Sequence, residues 1–572
     1  MFKNINLIGI FLSKKEKKIS LILVFLLLIG TILEMIGLGS LPIYLFAILD
    51  SKKFFTIVSD YKINFIDFLN VNINYSRYDV AFYGAFFLVF FFSLKNLYQF
   101  FVTYIQARMI FNISKRNSLD LYKQYIRSEY LYYIDKNPSE IIRNIAIVED
   151  AILFLSHLIN ISREILLIFF SFFILFFIDV KITLVIFSFF IFSIIIILLI
   201  TKNKSKKFAS KINNFRSSEI KELNQSIEGI KDLKVFQQEE FFEKKFDLIT
   251  GGIYLNKFYL SITHTIPKLI LEIMSISFIS ILLVFFVNTT YSFELIIFKL
   301  TAYAVVIVRM LPSFSVIASN ANQLRATIPA LQILHGEFSD RKKYLYQSAS
   351  FNREEVMFNS FNSLVIKNIN FFYEKTHPII KNFSLEVRKG ETIGIIGESG
   401  KGKSTLVNLI LGLIKPADGD IKINNISIID KKINKDFFGF VQQNVYLLDD
   451  TIKRNIAFGV PDEEIDDEKI KKSMITAQIY DFVLNMNYGV ETVVGNRGVK
   501  LSGGQVQRIG IARAIYRDPK ILILDESTSS LDLKTENDFL DTLKKLKKDV
   551  TMIIISHKKH TLEFCDKIFR IL

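Results

Sequence analysis

Tryptophan is absent from this 572-residue sequence, and cysteine occurs once, as Cys565. A lone cysteine excludes a disulfide framework and a cysteine-based metal site. Without tryptophan, an aromatic belt at a membrane surface must be built from tyrosine and phenylalanine. The run 182–200 contains no charged residue. The first apolar stretch, 19–49, lacks a clean small-residue cleavage site. It also outruns the roughly 7–15-residue core of a secretory signal. It predicts an uncleaved first span, preceded by Lys14, Lys15, Lys17 and Lys18 on the cytoplasmic side.

The chain is too long for one domain on the usual prior. Apolar residues crowd into the first 330 positions, and from about residue 351 strand-length apolar runs alternate with charged stretches. The second pattern is that of a soluble α/β domain. The net charge is +15. Lys and Arg gather beside the apolar spans, where the positive-inside rule places them. The surplus therefore reads as membrane orientation and not as a nucleic-acid partner.

A spanning helix takes about 20 mostly apolar residues. Besides the first stretch, residues 80–105, 153–178, 182–200, 266–287 and 295–319 qualify. Six spans return the chain to the cytoplasm. The linkers 179–181 and 288–294 suit short outer hairpins, whereas 106–150 and 201–265 read as long cytoplasmic helical extensions. In the outer segment 52–70, Phe54, Val58, Tyr61, Phe65 and Phe68 form one helical apolar stripe. That stripe suits either the outer membrane interface or the tops of the spans. The expected organisation is multidomain: an all-α six-span transmembrane domain at 1–330, a linker at 331–351 and an α/β P-loop nucleotide-hydrolysing domain at 352–572.

In that last domain a β-branched run, Ile393-Gly394-Ile395-Ile396, leads into Gly397-Glu398-Ser399-Gly400-Lys401-Gly402-Lys403-Ser404-Thr405 and then a helical pattern. This is the strand–loop–helix setting of a P-loop, whose backbone N–H groups close around phosphates. Lys403 is expected to reach the β- and γ-phosphates of ATP, and Ser404 to ligate Mg²⁺. A second apolar strand ends in Asp525 and Glu526. Asp525 is placed to hold Mg²⁺, and Glu526 to orient and deprotonate water. Between the two, Ser502, Gly503, Gly504 and Gln505 open a helix and can offer donors to an anion. A P-loop encloses its own nucleotide, so these donors serve a different one.

Together these residues resemble the ATP-binding cassette (ABC) transporters over nearly the whole chain. The resemblance implies further roles. Tyr373 matches the aromatic that stacks on adenine, and Gln443 the glutamine that senses Mg²⁺, with Gln442 where proline is usual. Asp532 falls in the dimer-contact loop, with Ser530 in place of alanine. His557 matches the switch histidine that bonds the γ-phosphate. Asn496 stands where Glu is frequent, which touches coupling and not hydrolysis. The membrane part is similar to the six-span exporter type, often called type IV. Tyr130 to Asp135 look like its first coupling helix, and Gly229 to Phe236 like the hallmark between spans four and five. No peptidase domain precedes span one, so leader-peptide processing is not expected. One membrane half and one ATPase domain imply a homodimer, each ATP lying between the P-loop of one copy and Ser502 of the other. Intact motifs imply two working sites. The resemblance implies a bacterial inner membrane with the ATPase domain in the cytoplasm.

Ionisable residues inside spans are costly and usually functional. Lys95, Lys268 and Arg309 lie in or near spans two, five and six. Facing one cavity they would bind an anion; snorkelling, or neutralisation by Glu34 and Glu272, is the alternative. An anionic membrane lipid suits such a cavity, an arrangement that resembles the PglK-like flippases of lipid-linked oligosaccharides. Another lipid such as a lipid A precursor, or amphipathic drugs or peptides, stays open. The spans exclude a soluble ribosome-acting ABC protein. Glu526 argues against an ATP-gated channel, and the fused ATPase domain against an importer.

Overall fold

The computed structural model describes residues 7–49, 77–176, 179–201, 203–287, 293–347, 355–373, 377–398, 400–434, 436–526, 533–547, 550–563 and 565–571. The outer segment 52–70 lies outside them. The chain divides into two compact units, Met1–Arg127 with Lys136–Lys342 and Ser128–Asp135 with Lys343–Leu572.

The first unit is helical. Its elements are α1 (Lys14–Leu49), α2 (Arg77–Ile126), α4 (Pro138–Ala146), α5 (Val148–Phe176), α6 (Val180–Thr201), α7 (Lys204–Glu228), α8 (Ile230–Phe236), α9 (Glu239–Val287) and α10 (Phe293–Gln347); α3 (Tyr130–Asp135) belongs to the second unit. Ser13 starts α1 with a reciprocal cap: its backbone N–H donates to Glu16 Oε2 at 2.8 Å and its hydroxyl accepts from Glu16 N at 3.3 Å. Five helices among the described residues are long and apolar enough to cross a membrane. The sixth apolar stretch, 295–319, lies within α10.

The 50 residues of α2 span about 75 Å at 1.5 Å each. A hydrocarbon core is about 30 Å thick. The helix therefore runs well beyond the membrane, as does α9, and both enter the polar sequences 106–150 and 201–265 that predict extensions; α10 is longer still. Inside the bundle, α5, α6, α9 and α10 meet over Phe172, Phe190, Phe278 and Phe314. The Phe190 and Phe314 rings stack with centroids 4.6 Å apart. Beyond Ala330, α10 continues to Gln347 through most of the residues expected to form a linker. Leu331, Leu334 and Phe338 are buried there at helical spacing, so this stretch has a core face to keep it helical.

The second unit has two main sheets. The antiparallel one has strand order β2-β1-β4-β5, from β1 (Ser363–Phe372), β2 (Pro378–Arg388), β4 (Asp418–Ile423) and β5 (Ile426–Ser427). The other is wholly parallel, with order β9-β3-β8-β7-β6. Its strands are β3 (Thr392–Ile396), β6 (Phe438–Val441), β7 (Ile521–Asp525), β8 (Thr551–Ile555) and β9 (Lys567–Arg570). All five residues of β7 and of β8 are buried. Strands covered on both faces read as unbroken apolar runs. Helices α11 (Lys403–Ile410), α12 (Gly503–Tyr516) and α13 (Leu533–Leu546) complete the frame. The parallel order sets the ends of β3, β7 and β8 side by side, which is where open α/β sheets bind ligands.

Candidate functional site

The P-loop leaves β3 after Ile396 and enters α11 at Lys403. Gly402 makes that entry at φ 90°, and a Cβ on it would come within 2.6 Å of Ile379 Cγ2. Only glycine fits both demands. Lys403 folds back over the loop. Its ammonium donates to Gly397 O at 2.8 Å and Glu398 O at 3.2 Å, and lies 2.8 Å from His557 Nε2.

The neighbouring strand ends complete the cluster. Ser404 Oγ donates to Asp525 Oδ2 at 3.2 Å. Gln443 Nε2 donates to Glu526 Oε2 at 2.7 Å, and His557 Nε2 lies 3.2 Å from Glu526 Oε1. Six residues drawn from four separate stretches of sequence thus form two adjoining sets of contacts, Ser404–Asp525 and Lys403–His557–Glu526–Gln443. Burial pushes the Asp525 carboxyl above its ordinary value, and the Glu526 charge adds to that, while the Ser404 hydrogen bond and Lys403 pull it down. Glu526 adopts φ 48°, a left-handed conformation rare outside glycine. Its N–H donates to Ile555 O at 3.0 Å, which holds the strained residue at the end of the sheet. No sequence pattern announces that backbone.

Tyr373 stands beside this cluster, its hydroxyl 3.5 Å from Thr405 Oγ1 and its ring edge-on to Phe371. The ring remains 42% exposed, so a flat face is available to a base. Ser502, Gly503, Gly504 and Gln505 form a complete capping box at the start of α12: Ser502 N donates to Gln505 Oε1 at 2.8 Å, and Gln505 N to Ser502 Oγ at 3.4 Å. Among the described residues these four share no hydrogen bond with the P-loop cluster. Gly400, Lys401 and Gly402 lie in the loop, whereas Ser399 and the dimer-loop residue Asp532 are outside the described residues.

Ser404 and Asp525 supply hard oxygen donors 3.2 Å apart, one of them a buried carboxylate. Such a donor set fits Mg²⁺, which prefers one or two carboxylate or hydroxyl ligands plus substrate phosphates.

Of the three intramembrane cations, Lys95 and Lys268 separate. Lys95 lines a cavity of about 20 Å³ between α1, α2 and α5, with Glu34, Tyr98, Gln99, Gln106 and Arg163. That volume holds about one water. Arg163 pairs with Glu164 at 2.6 Å. Lys268 is instead exposed on α9, as is Glu272. Arg309 lies on α10 but outside the described side chains. The structure thus adds Arg163 to Lys95; the only sequence signal was an adjacent Arg-Glu pair inside an apolar run. Next to this cavity a polar ladder crosses the bundle. Gln106 Nε2 donates to Asn160 Oδ1 at 3.1 Å, and His157 Nδ1 lies 2.9 Å from Asn320 Oδ1.

Residues 380–529 match the family model described as ABC transporter. The ATP-dependent lipid A-core flippase of Wigglesworthia glossinidia brevipalpis is 29% identical over 491 residues, 82% of this chain and 80% of that one. A putative multidrug export ATP-binding/permease protein of Staphylococcus aureus is 43% identical over 206 residues, 36% of this chain and 35% of that one. The lipid A-core flippase of Pasteurella multocida is 39% identical over 208 residues, 36% of each chain. The last two matches therefore span about a third of those proteins. Among solved structures, a bacterial Atm1-family ABC exporter with ATP bound superposes with TM-score 0.74 at 21% identity, covering 97% of this chain and 93% of that one.

Proposed function

Because the chain is an ABC transporter whose helical membrane domain is fused to an ATP-hydrolysing domain, we propose that it works as a homodimeric exporter that moves an amphipathic, anionic lipid from the inner to the outer leaflet of a bacterial cytoplasmic membrane. The two sets of contacts, Ser404–Asp525 and Lys403–His557–Glu526–Gln443, carry the ATPase part of this reading. Lys403 would take the β- and γ-phosphates. Glu526, oriented by Gln443, accepts the proton of the attacking water. His557 would bond the γ-phosphate. Ser404 and Asp525 would hold Mg²⁺, with Gln443 sensing it; the ion would neutralise phosphate charge. Ser502 to Gln505 would close on the partner's nucleotide, and Tyr373 would stack on adenine.

The cavity that Lys95 and Arg163 line is too small for a lipid headgroup, so the anionic cargo rests on these two intramembrane cations lying on one side of the bundle and not on that volume. Glu34 lines the same cavity and Glu164 pairs with Arg163, so the charge there is partly balanced. A lipid-linked oligosaccharide, with its pyrophosphate, is the first cargo this suggests. The lipid A-core flippases among the relatives make a lipid A precursor the second. The test is ATPase activity of the reconstituted protein beside Glu526→Gln, titrated with polyprenyl-pyrophosphate-linked glycan and then with a lipid A precursor. A response to the glycan lipid that disappears in Lys95→Ala and Arg163→Ala supports the first cargo. A response to the lipid A precursor alone supports the second, and a response only to neutral amphiphiles rejects an anionic cargo.

A further inference from the structure

The helix that leads towards the ATPase domain carries a carboxylate whose bonds reach both ends of one loop. Glu337 lies on α10, five residues before the first unit ends at Lys342. Its Oε2 accepts from the Tyr125 hydroxyl at 3.3 Å, and its Oε1 accepts from Lys136 Nζ at 3.4 Å. Its backbone carbonyl accepts from Gln124 Nε2 at 2.9 Å. Gln124 and Tyr125 close α2, and Lys136 opens the return towards α4. Between them runs the segment Ser128–Asp135, which groups with the ATPase unit, with Leu131 packed against that unit's core.

The grip is built and not incidental. Tyr125 is only 2% exposed, and its hydroxyl also accepts from Asn144 Nδ2 at 3.0 Å. Arg143 holds Asn144 in turn, Nη2 to Oδ1 at 2.8 Å. On the other side of Glu337, Phe338 is buried edge-on against Phe11 at 5.2 Å. The carboxylate therefore sits in a packed frame with its two oxygens shared between the two stems. The Lys136 and Glu337 side chains are 33% and 14% exposed. Ion pairs with that much solvent add little to stability. Geometry is the stronger reason for the charge.

We propose that Glu337 is a positioning residue for coupling: it fastens both stems of the 128–135 loop to α10, so that loop and helix shift as one when nucleotide binds. A displacement of the ATPase core then reaches α2 and α10 together, the two-state element that coupling requires. The inference rests on ATP-driven transport and not on the cargo.

The test needs no cargo. Hydrogen exchange of the full-length protein in lipid nanodiscs is compared with and without a non-hydrolysable ATP analogue and Mg²⁺. The response of α11 reports nucleotide binding, and the response of α1, α2 and α10 reports coupling. In Glu337→Ala the α11 response is retained, and the response of the membrane helices falls about fivefold or more. Glu337→Gln, which keeps an acceptor for Tyr125 and loses the charge opposite Lys136, falls in between. The exchanged pair Lys136→Glu with Glu337→Lys recovers part of the loss. If Glu337→Ala fails to fold, Glu337→Gln and the exchanged pair decide. An undiminished membrane-helix response in Glu337→Gln and Glu337→Ala overturns the proposal. So does a joint loss of both responses in Glu337→Gln, which would mark a merely structural residue.

Discussion

His557 Nε2 lies 2.8 Å from Lys403 Nζ. An ammonium can only donate, so in this contact the ring nitrogen is the acceptor. The same nitrogen stands 3.2 Å from Glu526 Oε1, and Glu526 Oε2 accepts a hydrogen bond from Gln443. Lys403 Nζ is thus shared among two P-loop carbonyls and His557. The two residues should separate by function when mutated. Lys403→Met is expected to weaken ATP binding about 10- to 100-fold, the worth of hydrogen bonds to a charged group. His557→Ala is expected to bind ATP nearly normally and to lose about 10²–10³ in kcat. Nucleotide binding and single-turnover hydrolysis, measured side by side, check both.

Glu526→Gln should stop turnover while leaving the fold intact, since the amide can keep the Gln443 contact and the backbone bond to Ile555. An ATP-bound dimer should then accumulate, visible as a nucleotide-dependent rise in mass by light scattering. Gln443→Ala removes the donor that orients this carboxylate and should cost about tenfold or more in kcat, the lower end of a lost charge-assisted hydrogen bond.

Gly439 in β6 gives a stability prediction. Glycine to alanine in a strand usually stabilises by restricting the unfolded chain. Here a Cβ would approach Ala514 O to 2.7 Å and Pro519 Cγ to 2.8 Å. Backbone cannot yield cheaply, so Gly439→Ala should destabilise by about 1–3 kcal/mol. Thermal unfolding followed beside the parent protein reads the sign.

Burial pushes the Cys565 thiol from its ordinary 9.0 up to about 11, helped by the Asp566 charge. The native state then holds the thiol proton more tightly than the unfolded chain does. Its contribution to stability is full below the unfolded value of 9.0 and is lost as pH rises from there towards about 11. Maleimide should label the native protein slowly at pH 8 and quickly once it is unfolded. Cys565→Ser should flatten the alkaline loss of stability across that window.

Lys95 and Lys268 should behave differently. Lys95 lines a cavity and Lys268 is exposed on α9. Lys95→Ala is expected to change the lipid response of the ATPase, and Lys268→Ala to leave it within about twofold, the small effect usual for exposed charges. ATPase titration with the same lipids decides this.

Much of the candidate nucleotide site was legible because each half of it is local. A β-branched run, a glycine loop and a helix start lie within a dozen residues from Gly394 to Thr405, and the strand ending in Asp525 and Glu526 is apolar throughout. The spans were legible for a similar reason, since hydropathy is a property of composition along a window. Most of the expected linker 331–351 is helical, because Leu331, Leu334 and Phe338 find a core that extends α10 to Gln347, and the division between the two units after Lys342 falls within it. The inventory of cations in the spans was also readable, but not their grouping.

The sequence by itself determined the two-part architecture and singled out the residues expected to bind ATP, because those follow from contiguous motifs and from runs of apolar residues. Only the tertiary structure decided which helix faces meet. It set Lys95 beside Arg163 and left Lys268 exposed, turned Glu526 through a left-handed backbone, and brought Glu337 to residues 212 and 201 positions away. A residue on a helix points in a direction fixed by its neighbours in space, and that direction is settled by packing between elements far apart along the chain.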